Sequence, residues 1–369
     1  MPLVSRSGPG WNQLSNRPND MNRLMDTMVE SGTVFGIVDR IATGVAGSCW
    51  KLYQKAASGL KEDRKQITSH GVLDLLADPN PFMSLNEMHE LGQQHSELVG
   101  ETNIVVGRAK GVKYPIELWP CMPQRLTPEP DPYAYLKGWI YQGPDGDRVP
   151  LELNEILRHR RPNPRDPYRG VSWVQSILTD LDADRFGQEW QRQFYLNSAQ
   201  PGGIIEMDRR LDDDEFDEMT LRWREQHQGV NKAHRIAIIE NGGKYVSTPL
   251  THADMQFAEM SPVIRDRILV AAGFPKAALG ITEDVNRANA EAGEYLFAKW
   301  LVKTRLDRWK GMYDMQLLPM FFGVERARGY ELDYDDPVPE NSATAMVELT
   351  TKVDALIDLT SRGFDVTKV

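Results

Sequence analysis

The sequence predicts an α+β fold in which a small β-α-β-β module is inserted between two long helices. Three observations predict it. Apolar residues recur at steps of mostly three and four through 172–198 and again through "DMQFAEMSPVIRDRILVAA" (254–272), the period of a helix with one buried face. Between them, about 201–250, lie strand "GIIEM", helix "DDDEFDEMTLRWREQHQG", strand "HRIAIIE", a turn at Asn241-Gly242 and strand "KYVSTPL"; Asn-Gly is the dipeptide that a tight hairpin favours. Ahead of the first long helix, residues 101–160 alternate β-rich runs with Pro- and Gly-rich turns, as small antiparallel sheets require.

The elements follow in order. The N-terminus "MPLVSRSGPGWNQLSNRPND" lacks the apolar core of a secretion signal and reads as a flexible arm, taken as residues 1–30. "TVFGIVDRIATGVAGSCWKLYQKA" (33–56) has helical spacing through Val34, Ile37, Ile41, Val45 and Trp50. Residues 70–100 hold two helices parted by "DPNP", and Ser84 with Glu87 three residues on is a capping box for the second. "RRPNPRDPYRGVSW" (160–173) is a proline-laden connector. In the first long helix Val174, Ile177, Leu178, Leu181, Phe186, Trp190 and Phe194 share a broad face; in the second, Met255, Phe257, Met260, Val263, Ile264, Ile268 and Leu269 do. Gly273 is a natural left-handed stop and Pro275 forbids continuation. Another long helix is expected over 287–319.

With 369 residues, 41% hydrophobic and 26% charged, the chain has the composition of a soluble protein of two or three lobes. A formal net charge of −10 argues against holding nucleic acid through bulk positive charge. Cys49 and Cys121 are far apart and unaccompanied, which points away from a disulfide framework and toward a reducing, cytosolic compartment. No run of about 18 apolar residues exists, so no membrane span is expected.

Motifs that carry chemistry are sparse. There is no phosphate-binding loop, since "NGGKYV" is a hairpin turn and Gly100, Gly107 and Gly111 lack dinucleotide-binding spacing. His89 and His95, with Glu90 between, do not form H-E-x-x-H and read as polar positions on a surface helix; His159 reads as solvated or at a strand edge. The acids Asp212, Asp213, Asp214, Glu215, Asp217 and Glu218 could serve a metal-dependent nuclease. Carboxylates also crowd helix N-termini for electrostatic reasons, and a nuclease needs acids from several elements with a His or Lys beside them. The run better suits an exposed docking patch. Five arginines fall within 158–169; Arg158, Arg160, Arg161 and Arg165 are candidate DNA phosphate contacts, or partners of neighbouring acids in a solvated loop. Trp119, Trp139, Trp173, Trp190, Trp223 and Trp300 read as core or interface anchors. The residues give no enzyme signature, metal site or cofactor.

Six segments in sequence order carry a resemblance: "DPNPFMSLNEM", "ELWPCMPQRLTPEPD", "HRRPNPRDPYRGVSW", "NSAQPGGIIEM", "YVSTPLTHADMQFAEM" and "ILVAAGFPKAALG". Together, over about 78–280 and on through the helical remainder to about 320, the sequence resembles the portal proteins of tailed bacteriophages. The resemblance implies a portal-type α+β fold with an α/β wing (31–171), stem helices (172–199 and 251–275), a clip (200–250), a tunnel loop (276–290), a wing helix and return strand (291–338) and the start of a helical crown (339–369). It implies a ring, typically dodecameric, at one capsid vertex of the virion, assembled in the host cytoplasm. Double-stranded DNA passes through it without sequence specificity, driven by a terminase whose large subunit docks on the clip acids. Further partners would be the major capsid protein, scaffold and a head–tail adaptor, with no membrane.

Thr282, Glu283, Asp284, Asn286, Arg287 and Asn289 would then face DNA, and the sharp turn at Gly273 and Pro275 would mark where the tunnel wall ends. A tunnel should not bind DNA tightly, because each phosphate neutralised adds salt-dependent affinity and drag; an acidic lining with a few basic residues such as Arg287 lets the duplex slide. Long helices with apolar residues on more than one face read as interfaces that a head-to-tail ring buries. The ending "ALIDLTSRGFDVTKV" falls where family members run on into a crown, so a truncated chain is expected. The alternatives are a nuclease built on the 212–218 acids and another ring-shaped virion connector.

Overall fold

The computed structural model describes residues 18–196, 204–206, 212–227, 244–246, 252–280, 287–339 and part of 350–361. The expected arm gives way to a helix at its C-terminal end. Helix α1 (Pro18–Glu30) buries Met21 and Leu24, which lie three apart and face the same core. The polar residues around them hid that short period from the sequence reading.

Helix α2 (Gly32–Ala46) opens on Ser31, whose side chain accepts from the Val34 N–H, and buries Val34, Ile37, Ile41 and Val45. It does not continue to 56 as expected. Gly47 ends it, and Trp50–Gln54 is a strand, β1, held between β2 (Lys65–Ile67) and β11 (Tyr330–Tyr334). "WKLYQ" turns Leu52 alone fully inward, and two strand partners override the helical spacing that Trp50 happened to continue.

Helices α3 (Gly71–Ala77) and α4 (Leu85–Leu98) follow, α4 with the expected box: the Ser84 N–H donates to Glu87 Oε2 at 2.7 Å and the Glu87 N–H donates to Ser84 Oγ at 3.3 Å. Strand β3 (Glu101–Gly107) is central in an antiparallel sheet with β4 (Glu117–Cys121) and β8 (Ile156–Arg160). β5 (Leu126–Asp131), β6 (Tyr135–Gln142) and β7 (Arg148–Leu151) form a neighbouring meander. Cys121, Leu126, Trp139 and Ile156 fill the space between the two sheets.

A short 3₁₀ turn, Val174–Ile177, leads into the long helix α5 (Leu178–Leu196). Beyond it lie β9 (Ile204–Glu206), α6 (Asp213–His227) and β10 (Lys244–Val246), with β9 and β10 antiparallel. The expected strand at 234–240 falls outside the described residues. Helix α7 (His252–Ala272) returns along α5. The next helix runs almost unbroken as α8 (Arg287–Leu296), a π segment, α9 (Lys303–Met312), a second π segment and α10 (Leu318–Phe322), before α11 (Val324–Ala327) and β11.

Two larger cores result. One packs α3, α4, β1, β3 and β11 around Trp309, Tyr313 and Leu317; the other packs α1 and α2 against Trp173, Val174 and Leu181 and against Ile264, Ile268 and Leu269 of α7. Gly92 lets α4 meet the long helix: a Cβ there would stand 2.8 Å from Trp309 Cη2 and 2.9 Å from Thr102 Cγ2. His89 and His95, expected on the surface, are in this packing instead, and so is His159, which lies on the edge strand β8. His89, His95 and His159 are buried; His89 Nε2 lies 2.6 Å from the Tyr313 hydroxyl, and both His89 and His159 stack edge-on against Trp309. Imidazole joins such a core when it stays neutral, and burial pushes His89 and His159 down to about 3 and His95 to about 4.

Candidate functional site

The paired helices α5 and α7 are anchored at one end and apolar on the outside beyond it. Val174, Ile177 and Leu181 are buried, whereas Phe186 is 65% and Trp190 41% exposed farther along α5. On α7, Ile264, Ile268 and Leu269 face the core while Val263 and Val270 face outward. Arg267 joins the pair through Asp180 at 2.9 Å, and α1 is tied to α5 by Arg23–Asp182 and Arg185–Glu30 pairs.

The stop expected at the end of α7 is present. Gly273 has φ of +66°, its N–H donates to Val270 O, and the Phe274 N–H reaches back to Leu269 O at 2.9 Å. Phe274 is buried and packs edge-on against Phe297 with ring centroids 5.4 Å apart, so the chain is directed from α7 toward α8. Lys276–Leu279 is a 3₁₀ turn ended by Gly280. Thr282, Glu283, Asp284 and Asn286 lie outside the described residues. Arg287 and Asn289 belong to the first turn of α8, so helix occupies the last part of 276–290.

The 212–218 acids sit at the start of α6. Asp212 Oδ1 accepts the Glu215 N–H at 2.8 Å, and Glu215 Oε2 accepts the Asp212 N–H at 3.4 Å. This is a capping box built from carboxylates, with Asp213 and Asp214 in the first turn and both exposed. Glu218 pairs with Arg222 on the same helix. Among the described residues no three His, Cys, Asp or Glu side chains come together as a metal site. The patch is an acidic helix end between β9 and β10.

The connector arginines are divided by burial. Arg158 donates to Glu101 and to Tyr168 O and lies 4.6 Å over the Trp139 ring; Arg169 reaches Glu101 at 2.8 Å, and the Gly170 N–H reaches it at 2.9 Å. Arg161 lies 3.4 Å from Glu97, which also accepts from Arg305 at 2.8 and 3.1 Å, from the Trp173 indole and from Gln93. Both glutamates are fully buried. Burial alone would raise them, but the facing guanidiniums, Arg305 and Arg161 for Glu97 and Arg158 and Arg169 for Glu101, hold each at about 2. Arg158 and Arg161 are therefore withdrawn as phosphate contacts, because their charges are committed to buried carboxylates inside the fold. Arg165 is exposed and Arg160 half-buried.

This double hub was not foreseen. Its signal was present in "SELVGE" (96–101), where two acids interrupt an apolar run that precedes a strand, matched by an arginine-rich connector that needs buried counter-charges. The backbone allows the close fit: Gly100 has φ of +93°, and a Cβ on Gly170 would stand 2.1 Å from Gly100 O. Trp139 and Trp173 are core residues, as expected, while Trp190 and Trp300 project outward.

A family model described as "Phage portal protein" matches residues 32–352. Over 85 residues the chain is 27% identical to a probable portal protein of Streptomyces phage phiC31; the match spans 23% of this chain and 18% of that relative. Among solved structures, the neck of a native gene transfer agent particle, computed with C12 symmetry, aligns with TM-score 0.65 and 22% identity, covering 92% of this chain and 90% of that one. An HK97-family phage portal protein from Corynebacterium diphtheriae aligns with TM-score 0.56 and 10% identity over 86% of this chain and 94% of that one. These likenesses establish the fold. Among the described residues, no helix is long and apolar enough to cross a membrane.

Proposed function

The chain belongs to the phage portal protein family, and on that premise we propose that it assembles into a dodecameric ring at a capsid vertex, through which double-stranded DNA is packaged and ejected. The observation that carries this reading is the strand–helix–strand module set between α5 and α7, in a chain that the family model matches from 32 to 352. Support comes also from the outward apolar side chains Phe186, Val263 and Val270, which stand exposed in a single copy and which a head-to-tail neighbour would cover.

In this reading the role is structural. Thr282, Glu283, Asp284, Asn286, Arg287 and Asn289 are the DNA-facing residues of this reading, and the acidic end of α6 receives the terminase large subunit. The net charge of −10 keeps the duplex from being gripped. Major capsid protein, scaffold and head–tail adaptor are the remaining partners, and the finished particle is the location.

Replacing Asp212, Asp214 and Asp217 by Asn separates this reading from a nuclease. Binding of the terminase large subunit should weaken while linear DNA with magnesium stays intact with either protein. DNA cleavage by the parent that the variant loses would replace the portal reading with the enzymatic one.

A further inference from the structure

At the junction of α4, β8 and α9 two arginines share one carboxylate, and a third lies within its electrostatic influence. Glu97 is already saturated by the Arg305 fork, Arg161, the Trp173 indole and Gln93. Arg308, three residues beyond Arg305, is half-buried and makes no hydrogen bond or ion pair among the described residues. Arg161, Arg305 and Glu97 act on it electrostatically, so positive charge exceeds negative around this half-buried guanidinium. Burial together with the neighbouring guanidiniums lowers both Arg161 and Arg308 from the usual arginine value. A half-buried guanidinium without a counter-charge is open to an anion, and its fork is shaped for a carboxylate.

The same helix face carries a second feature. Trp300, Thr304, Arg308, Gly311 and Met315 recur at steps of four and three, and Trp300 is 62% and Met315 79% exposed. Large apolar side chains on either side of an arginine make the anchor pattern of a protein–protein interface.

We propose that this face, centred on Arg308 with Arg161 behind it, receives a carboxylate from the adjacent copy of the chain, with Trp300 and Met315 packing around the pair. A second copy fits because the chain carries 53 acidic against 43 basic residues and so offers carboxylates in surplus. In a ring each copy gives one such contact and receives one, which leaves no face open. The proposal rests on the ring reading given above.

The test uses the full chain, with light scattering and negative-stain microscopy of the parent, Arg308→Glu and Met315→Glu at low and high salt. Circular dichroism and thermal melting check folding; Met315 is exposed enough that its replacement cannot disturb the core. The parent should form rings that loosen as salt rises, and each variant should be folded but need about tenfold more protein to assemble. Variants that assemble like the parent at every salt concentration would overturn the proposal and leave the ring reading standing. So would intact Arg308→Glu rings that lose affinity for a short duplex, which would make DNA phosphate the anion. A parent that forms no ring would overturn both.

Discussion

Replacing Glu101 by glutamine isolates what the buried hub contributes. The amide keeps the side chain's shape but removes the charge that faces Arg158 and Arg169, and it turns an NH2 toward groups that are themselves donors. Glu101 is fully buried and both guanidiniums are nearly so, which leaves solvent little room to screen the loss. Removing one partner of a buried pair costs ~3–5 kcal/mol, against a total stability of ~5–15 kcal/mol for a typical domain. The urea midpoint at pH 7 should therefore fall sharply with the slope unchanged.

The pH profile adds an independent check. Glu101 is held at about 2 in the fold against 4.5 unfolded, so its contribution is complete above pH 4.5 and is lost as pH falls toward 2. The glutamine variant lacks that portion of the acid dependence. In a double-mutant cycle with Arg169→Met the two changes should couple by ~1–3 kcal/mol. A Glu101→Gln midpoint close to the parent's, or strict additivity with Arg169→Met, would refute the claim that this carboxylate pins the connector to β3.

Other outcomes follow from the same packing. His89, His95 and His159 are held neutral, with values of about 3, 4 and 3 against 6.5 unfolded, so the unfolded chain binds the extra protons and stability falls as pH drops below 6.5. At pH 5 each should cost ~2 kcal/mol, read as a urea midpoint far below that at pH 7.5; a flat profile between those values would contradict their burial. Gly92→Ala should lower the melting temperature, because overpacking against Trp309 and Thr102 costs ~1–3 kcal/mol while the helix gains only ~1 kcal/mol; a rise would show that α4 can move aside. Asp212→Ala should weaken α6 by about 1 kcal/mol through loss of its cap, visible as faster amide exchange in the first turn. Unchanged exchange there would remove the capping explanation of the acidic run.

What the sequence revealed and concealed has physical causes. Local signals were legible: the Ser84–Glu87 box, the Gly273 stop and the turns between the strands are set by residues a few positions apart. Where a distant partner decided the outcome, the local pattern misled. Trp50 continues the α2 spacing but is drawn into a sheet by a strand at 330–334. Met21 and Leu24 look isolated until α2 and α5 supply their core. Polarity misled in the same way, since His89 and His95 read as polar positions on a surface helix; Tyr313, more than 200 positions away, is what makes the burial of His89 possible. The same limit applied to the candidate site. The α6 acids were readable because a helix N-terminus explains them locally, whereas the duty of Arg158 and Arg161 depended on two carboxylates that no spacing rule connects to them.

The most direct test of the portal reading is the subunit count and shape of the purified full chain, by native mass measurement alongside negative-stain microscopy. The account predicts closed rings with a central hole and one dominant subunit number. A chain that stays a monomer or a compact dimer in low and high salt, with and without scaffold, would contradict it.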